Sequence, residues 1–79
     1  MKIQILGMGC PKCRQLTANA EQAIKDAGID AEIEKVSDLQ EIMKFGVMMT
    51  PGLAVDGQVK SAGRVLSPKE IVDLLRNMS

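Results

Sequence analysis

The stretch that decides the fold is Lys2-Ile3-Gln4-Ile5-Leu6-Gly7-Met8-Gly9-Cys10-Pro11-Lys12-Cys13. Ile3 and Ile5 alternate with Gln4, the period of a short strand over Lys2–Leu6. Gly7-Met8-Gly9 reads as a loop. Pro11 then takes the first turn of a helix, where a missing N–H is tolerated. From Cys13 onward, Leu16, Ala20, Ile24 and Ala27 recur every three or four residues, one apolar stripe of a helix that Gly28 ends. Two thiols therefore sit at a helix start, where backbone N–H groups and the positive end of the macrodipole favour an anion. A free thiol titrates near about 8.5, and helix N-termini bring it to roughly 3.5–7.5. Cys10, nearer the helix start and solvent, is expected to be the attacking sulfur. Cys13, one turn on, is placed to reach back and close an intramolecular disulfide. Lys12 and Arg14 add positive charge, and Pro11 stiffens the turn.

Downstream, Ile29, Ala31 and Ile33 alternate with Asp30, Glu32 and Glu34, so residues 29–36 read as an edge strand with a wet side. Ser37-Asp38-Leu39-Gln40 resembles a helix cap with its capping-box partner. The helix after it is about two turns long, with Leu39, Ile42 and Met43 inward, and stops near Gly46. Leu53-Ala54-Val55 is an apolar strand, Asp56-Gly57 a hairpin signal, and residues 58–62 the returning strand. Ser67-Pro68-Lys69-Glu70 combines a cap serine, proline at the first helical position and glutamate at the third. Ile71, Val72, Leu74, Leu75 and Met78 give the last helix its buried side.

The predicted class is α/β in the order βαβαββα: a four-stranded mixed sheet flanked by three helices, one domain over residues 1–79. The first βαβ unit makes two parallel strands with a right-handed crossover.

Thr50-Pro51 is the second chemical signal. A proline directly before a central strand fits a cis bond in a tight turn. In the fold proposed, this loop falls beside the Cys10–Cys13 turn. The Thr50 N–H and C=O are then unpaired and face Cys10, so a substrate chain binds as an extra strand. Met48 and Met49 precede Thr50, and one of them lines the shallow apolar surface around Cys10. Pro11, Lys12, Met49, Thr50 and Pro51 form the expected substrate-binding set, with Cys10 and Cys13 catalytic.

Composition removes the other classes. Ten basic and ten acidic residues cancel, so no basic excess marks a nucleic-acid binder. The single aromatic, Phe45, supplies no stacking platform. With no histidine there is no Ser–His or Cys–His nucleophile pair and no Cys/His zinc finger. Two cysteines neither complete a four-ligand zinc site nor build a secreted disulfide framework. No segment reaches the ~18 apolar residues of a membrane helix, and the N-terminal apolar run is too short for a signal-peptide core. The expectation is a cytoplasmic monomer, without cofactor or resident metal, whose two thiols do redox chemistry.

Cys10-Pro11-Lys12-Cys13 at the head of the first helix, Thr50-Pro51 before the hairpin, and the βαβαββα order together resemble the thioredoxin/glutaredoxin superfamily. The resemblance spans the chain and is nearest to the small thioredoxin-like "redox-active disulfide protein" group, whose members pair C-x-x-C with T-P and a V-D-G hairpin, here Val55-Asp56-Gly57. It implies a thiol-disulfide oxidoreductase with Cys10 as nucleophile, Cys13 as resolver and Pro51 as the cis-proline. It also implies protein disulfides as substrates and an electron donor, of the thioredoxin-reductase type or another. The chain departs from thioredoxins in having Met8-Gly9 before the motif and no Asp on the first strand, where Gln4 is the polar interior candidate. It departs from glutaredoxins in carrying Lys12 where they have an aromatic.

A rival from another class uses the same residues. Gly7-Met8-Gly9-Cys10-Pro11-Lys12-Cys13 resembles the G-M-x-C-x-x-C loop of heavy-metal-associated copper chaperones, and two thiolates with a soft Met8 beside them suit Cu(I). That family runs βαββαβ and ends on a strand. The capped C-terminal helix and Thr50-Pro51 favour the redox reading.

Overall fold

The computed structural model describes residues 1–77. The elements are β1 (Lys2–Leu6), α1 (Pro11–Ala27), β2 (Glu32–Val36), α2 (Leu39–Lys44), β3 (Gly52–Val55), β4 (Gln58–Ala62) and α3 (Pro68–Asn77). The sheet runs β2-β1-β3-β4, with β1 and β2 parallel and the other pairs antiparallel. The βαβαββα order, mixed sheet and three helices are those expected. The last helix, not a strand, follows the hairpin, which separates the chain from the βαββαβ order of the copper-chaperone reading.

β1 is paired along both edges and has a core on each face, so Ile3, Ile5 and Leu6 are buried while Lys2 is exposed and Gln4 half-buried. Ile3 and Ile5 enter a core with Leu16, Leu53, Ile71 and Leu75, beneath α1 and α3. Leu6 enters a smaller core with Val36, Ile42, Val47 and Ala54, beneath α2. α1 packs against both the sheet and α3, so its buried face is broader than one stripe. Thr17 and Ala23 are buried as well as the expected Cys13, Leu16 and Ala20, while Ile24 and Ala27 are only half-buried. The small Ala20 and Ala23 let the neighbouring elements approach closely.

Local chemistry sets the ends. Gly28 adopts a left-handed φ of 63°, and the Ile29 N–H reaches the Ile24 carbonyl at 3.1 Å, a Schellman ending. Ile29 is therefore part of the cap, and β2 begins at Glu32, three residues later than the alternation suggests. Asp56 and Gly57 have φ of 51° and 86°, the paired positive values of a two-residue hairpin turn. The Asp56 N–H donates to the Lys2 carbonyl and its carboxylate accepts from the Lys2 N–H, each at 2.8 Å. Gln4 is half-buried and is occupied on this side: its Oε1 accepts from the Gly57 N–H at 3.0 Å.

The second helix departs most from expectation. Asp38 caps it, not Ser37: the carboxylate accepts from the Gln40 N–H at 2.9 Å. Over six residues only Ile42 points into the core, while Leu39 and Met43 are 55% and 66% exposed. So short a helix offers one inward position, and Phe45 and Val47 fill the rest of that core.

At α3 the capping box forms as read. The Ser67 hydroxyl accepts from the Glu70 N–H at 3.2 Å, and the Glu70 carboxylate accepts from the Ser67 N–H at 3.1 Å. Ile71 and Leu75 are buried, Val72 and Leu74 half-buried, and Met78 lies outside the described residues. The hydrogen bonds from Ser67, helped by Arg64, hold the Glu70 carboxyl below its ordinary value. A depressed folded pKa stabilises fully above the unfolded value, about 4.3, and that contribution fades as pH falls through the folded value. In urea unfolding, Glu70→Gln is expected to remain less stable than the unchanged protein by a constant margin at neutral pH. The margin should close only below about pH 4.

Candidate active site

The turn after β1 carries Cys10, Pro11, Lys12 and Cys13 at the start of α1. Cys10 is the residue that caps α1, with φ −68° and ψ 163°. Its sulfur accepts from the Cys13 N–H at 3.3 Å. Side-chain oxygens of Ser, Thr, Asp or Asn usually satisfy this orphan donor. Here a sulfur does, and Pro11 follows in the first turn of the helix. Cys10 is partly exposed and Cys13 buried, and both are free thiols.

The two sulfurs are electrostatically unequal. Hydrogen bonds from the Cys13 thiol and then from the Cys13 backbone N–H hold the Cys10 thiol below its ordinary value. Burial pushes the Cys13 thiol up, and its hydrogen bond to Cys10 and the Cys10 charge push it the same way. The environment thus separates a thiol that ionises readily from one that keeps its proton.

Packing fixes Cys13. Gly7 is buried, and a Cβ there would collide with the Cys13 sulfur, while the Pro51 Cα would lie 3.9 Å away. Gly7 is a site residue that the sequence reading passed over as loop. Its signal was present: a glycine at the end of a strand, where another backbone comes close. Thr17, the buried polar residue of α1, donates its hydroxyl to the Cys13 carbonyl at 2.9 Å. Beside Cys13 a groove of ≈ 520 Å³ opens between α1 and β2, with Arg14 and Lys35 among its lining residues.

The Thr50–Pro51 bond is cis. Pro51 is buried, and its carbonyl accepts from the Gly63 N–H at 2.8 Å, which ties the loop to the end of β4. Thr50 is exposed, and its N–H and C=O make no hydrogen bond among the described residues. Met49 is exposed beside it, and Pro11 and Lys12 are exposed on the helix side. The arrangement can exchange a thiol pair for a disulfide next to an unpaired strip of backbone.

Among the described residues no helix is long and apolar enough to cross a membrane.

Known proteins share this sequence and shape. Residues 1–76 match the thioredoxin domain family. A protein named thioredoxin from Methanothermobacter thermautotrophicus is 51% identical over 75 residues, spanning 95% of this chain and 97% of the relative. Another thioredoxin, from Methanocaldococcus jannaschii, is 44% identical over 75 residues, spanning 95% of this chain and 86% of its own length. A solved malarial protein superposes with a TM-score of 0.68 at 18% identity, covering 96% of this chain and 93% of its own, a likeness of fold. The chain belongs to the thioredoxin domain family and is a thiol-disulfide oxidoreductase of the thioredoxin type.

Proposed function

We propose that Cys10 is the attacking thiolate and Cys13 the resolving thiol of a couple that reduces protein disulfides. The observation that carries this is the Cys13 N–H bonded to the Cys10 sulfur at the helix start, 3.3 Å. That donor stays in place while Cys10 is charged, so the thiolate is stabilised before any substrate arrives. The Cys10 thiolate attacks one sulfur of a substrate disulfide. The substrate S–S bond breaks, and the other sulfur leaves as a thiolate and is protonated by solvent. A mixed disulfide remains. Cys13 then loses its proton to solvent and attacks the Cys10 sulfur, expelling the second substrate thiolate. The Cys10–Cys13 disulfide is reduced again by two electrons and two protons from a dithiol donor of the thioredoxin-reductase type.

Substrate recognition falls to the exposed rim. An extended segment next to the substrate disulfide pairs with the free Thr50 backbone, over Pro51. Pro11, Lys12 and Met49 flank it. The sites where a substrate disulfide and a donor dithiol approach are the same, so the two partners take turns. In a reducing compartment such as the cytoplasm the couple runs in the reductive direction, and a monomer suffices for every step.

The roles have separate tests. Limited alkylation of the reduced protein near neutral pH, mapped by mass spectrometry, should label Cys10 well before Cys13. The Cys10 rate should level off at a lower pH than that of an unstructured cysteine, because its pKa is lowered. First labelling at Cys13 reverses the assignment. Cys13→Ser should capture substrates and donor as mixed disulfides stable on a non-reducing gel, and Cys10→Ser should capture none. Failure of Cys13→Ser to trap any partner removes the protein-disulfide reading.

The packing has its own consequence. Gly7→Ala places a methyl where the Cys13 sulfur lies, so one of them must move. Overpacking of this kind costs about 1–3 kcal/mol, to be read as a lower urea midpoint of the reduced protein. Displacing Cys13 also weakens its hydrogen bonds to Cys10, so the Cys10 alkylation profile should shift to higher pH. A variant with unchanged midpoint and profile would show that Gly7 does not position Cys13.

A further inference from the structure

Three exposed thioethers lie close in the chain to the Cys10–Cys13 turn and to the Thr50–Pro51 bond. Met48 is 97% exposed, and Met8 and Met49 are each 65% exposed. Met8 stands two residues before Cys10, Met49 two before Pro51, and Met48 three before Pro51. At about 3.8 Å between successive Cα atoms, all three backbones lie within roughly 12 Å of the residue each precedes. Met49 also lies over Gly63, where a Cβ would approach the Met49 Cβ and Cε at 3.2 Å each. The one aromatic of the chain, Phe45, packs against the core under α2 and contributes nothing here.

Peroxide treats the two kinds of sulfur differently. A Cys10 thiolate takes one oxygen from hydrogen peroxide, giving a sulfenic acid and hydroxide. The Cys13 thiol then displaces water from it and closes the disulfide, which the ordinary reductant reopens. A methionine thioether takes one oxygen, releases water and becomes a sulfoxide, and a dithiol donor to Cys10–Cys13 has no route back from it. The sulfoxide is polar and chiral where the thioether was apolar and deformable.

We propose that Met8, Met48 and Met49 are modification sites for hydrogen peroxide, and that their sulfoxides narrow the substrate range from protein disulfides to small ones. This rests on the dithiol reading above. A protein substrate lays apolar chain against the rim, and a sulfoxide there leaves it facing a polar group. A small disulfide reaches Cys10 without touching the rim. Oxidation would then leave the couple competent but confine it to small partners.

The experiment starts from the disulfide form, so that the cysteines are protected, and adds hydrogen peroxide. Peptide mapping by mass spectrometry locates the sulfoxides. The protein is then re-reduced, and turnover is measured on insulin and on hydroxyethyl disulfide. Sulfoxide is expected at Met8, Met48 and Met49, with the KM for insulin rising about ten-fold, the size of one lost apolar contact. Turnover of hydroxyethyl disulfide should be unchanged. The triple variant Met8→Leu, Met48→Leu, Met49→Leu keeps Met1 and Met43, the other exposed methionines of the described residues. Treated and untreated samples of that variant should have the same KM for insulin. The proposal is overturned if the three methionines stay unmodified, if both substrates lose turnover equally, or if the triple variant remains sensitive. An untreated protein that reduces neither substrate overturns the dithiol reading itself, and this proposal with it.

Discussion

Every α-helix begins with N–H groups that its own turns cannot satisfy. In this chain one of them, at Cys13, is satisfied by the Cys10 sulfur. The structural requirement to cap α1 and the chemical requirement to stabilise a thiolate are thus met by the same hydrogen bond. The rest of the molecule serves to keep that bond in place. β1, paired on both sides, delivers the chain to the helix start at a fixed position. The packing of α1 against the sheet and α3 prevents the helix from rotating its first turn away.

The site is held from two directions in sequence. Gly7 closes against the Cys13 sulfur from the β1 side, and the Pro51 Cα, on the β3 side, would lie 3.9 Å from a Cβ at Gly7. The Gly63 N–H fastens Pro51 in turn. Ionisation and exposure are divided between the cysteines accordingly. Cys10 is partly exposed at the helix start with its charge supported, while Cys13 lies on the buried face of α1 with its proton favoured by burial. Gln4 lies on the first strand with its side chain turned to the hairpin, so it has no part in this arrangement.

What the sequence disclosed was mostly local. The Cys10-Pro11-Lys12-Cys13 turn, the Asp56-Gly57 hairpin and the Ser67–Glu70 box each depend on a few adjacent residues whose conformational demands are written into their types. What it concealed depended on neighbours distant in the chain. Gly7 ends a strand, where a close approach is common, but nothing near it says that the neighbour will be a sulfur six residues on. Thr17 and Ala23 are buried because α3 lies against α1, and periodicity along α1 alone could not show where α3 would come to rest. Leu39 and Met43 look inward on a helical wheel, yet α2 is too short to turn more than Ile42 to the sheet. Ile29 fits the strand alternation, but the Schellman cap claims its backbone first. The cis bond at Thr50–Pro51 was legible because the proline had to precede a central strand beside a thiol pair.

The placement of β1 also bears on how the chain emerges during synthesis. β1 precedes the other three strands in the chain and is an interior one, and its β3 neighbour lies about fifty residues later. The clamp between Lys2 and Asp56 joins residues 54 apart. A nascent chain that has released only β1, α1 and β2 holds a two-stranded sheet with both edges open, β1 still lacking its β3 partner, and an apolar face that lacks α3. Too little core exists at that stage for a stable domain. Commitment to the folded state therefore waits for the hairpin and the last helix, and the reactive thiols travel exposed until nearly the whole chain is available to enclose Cys13.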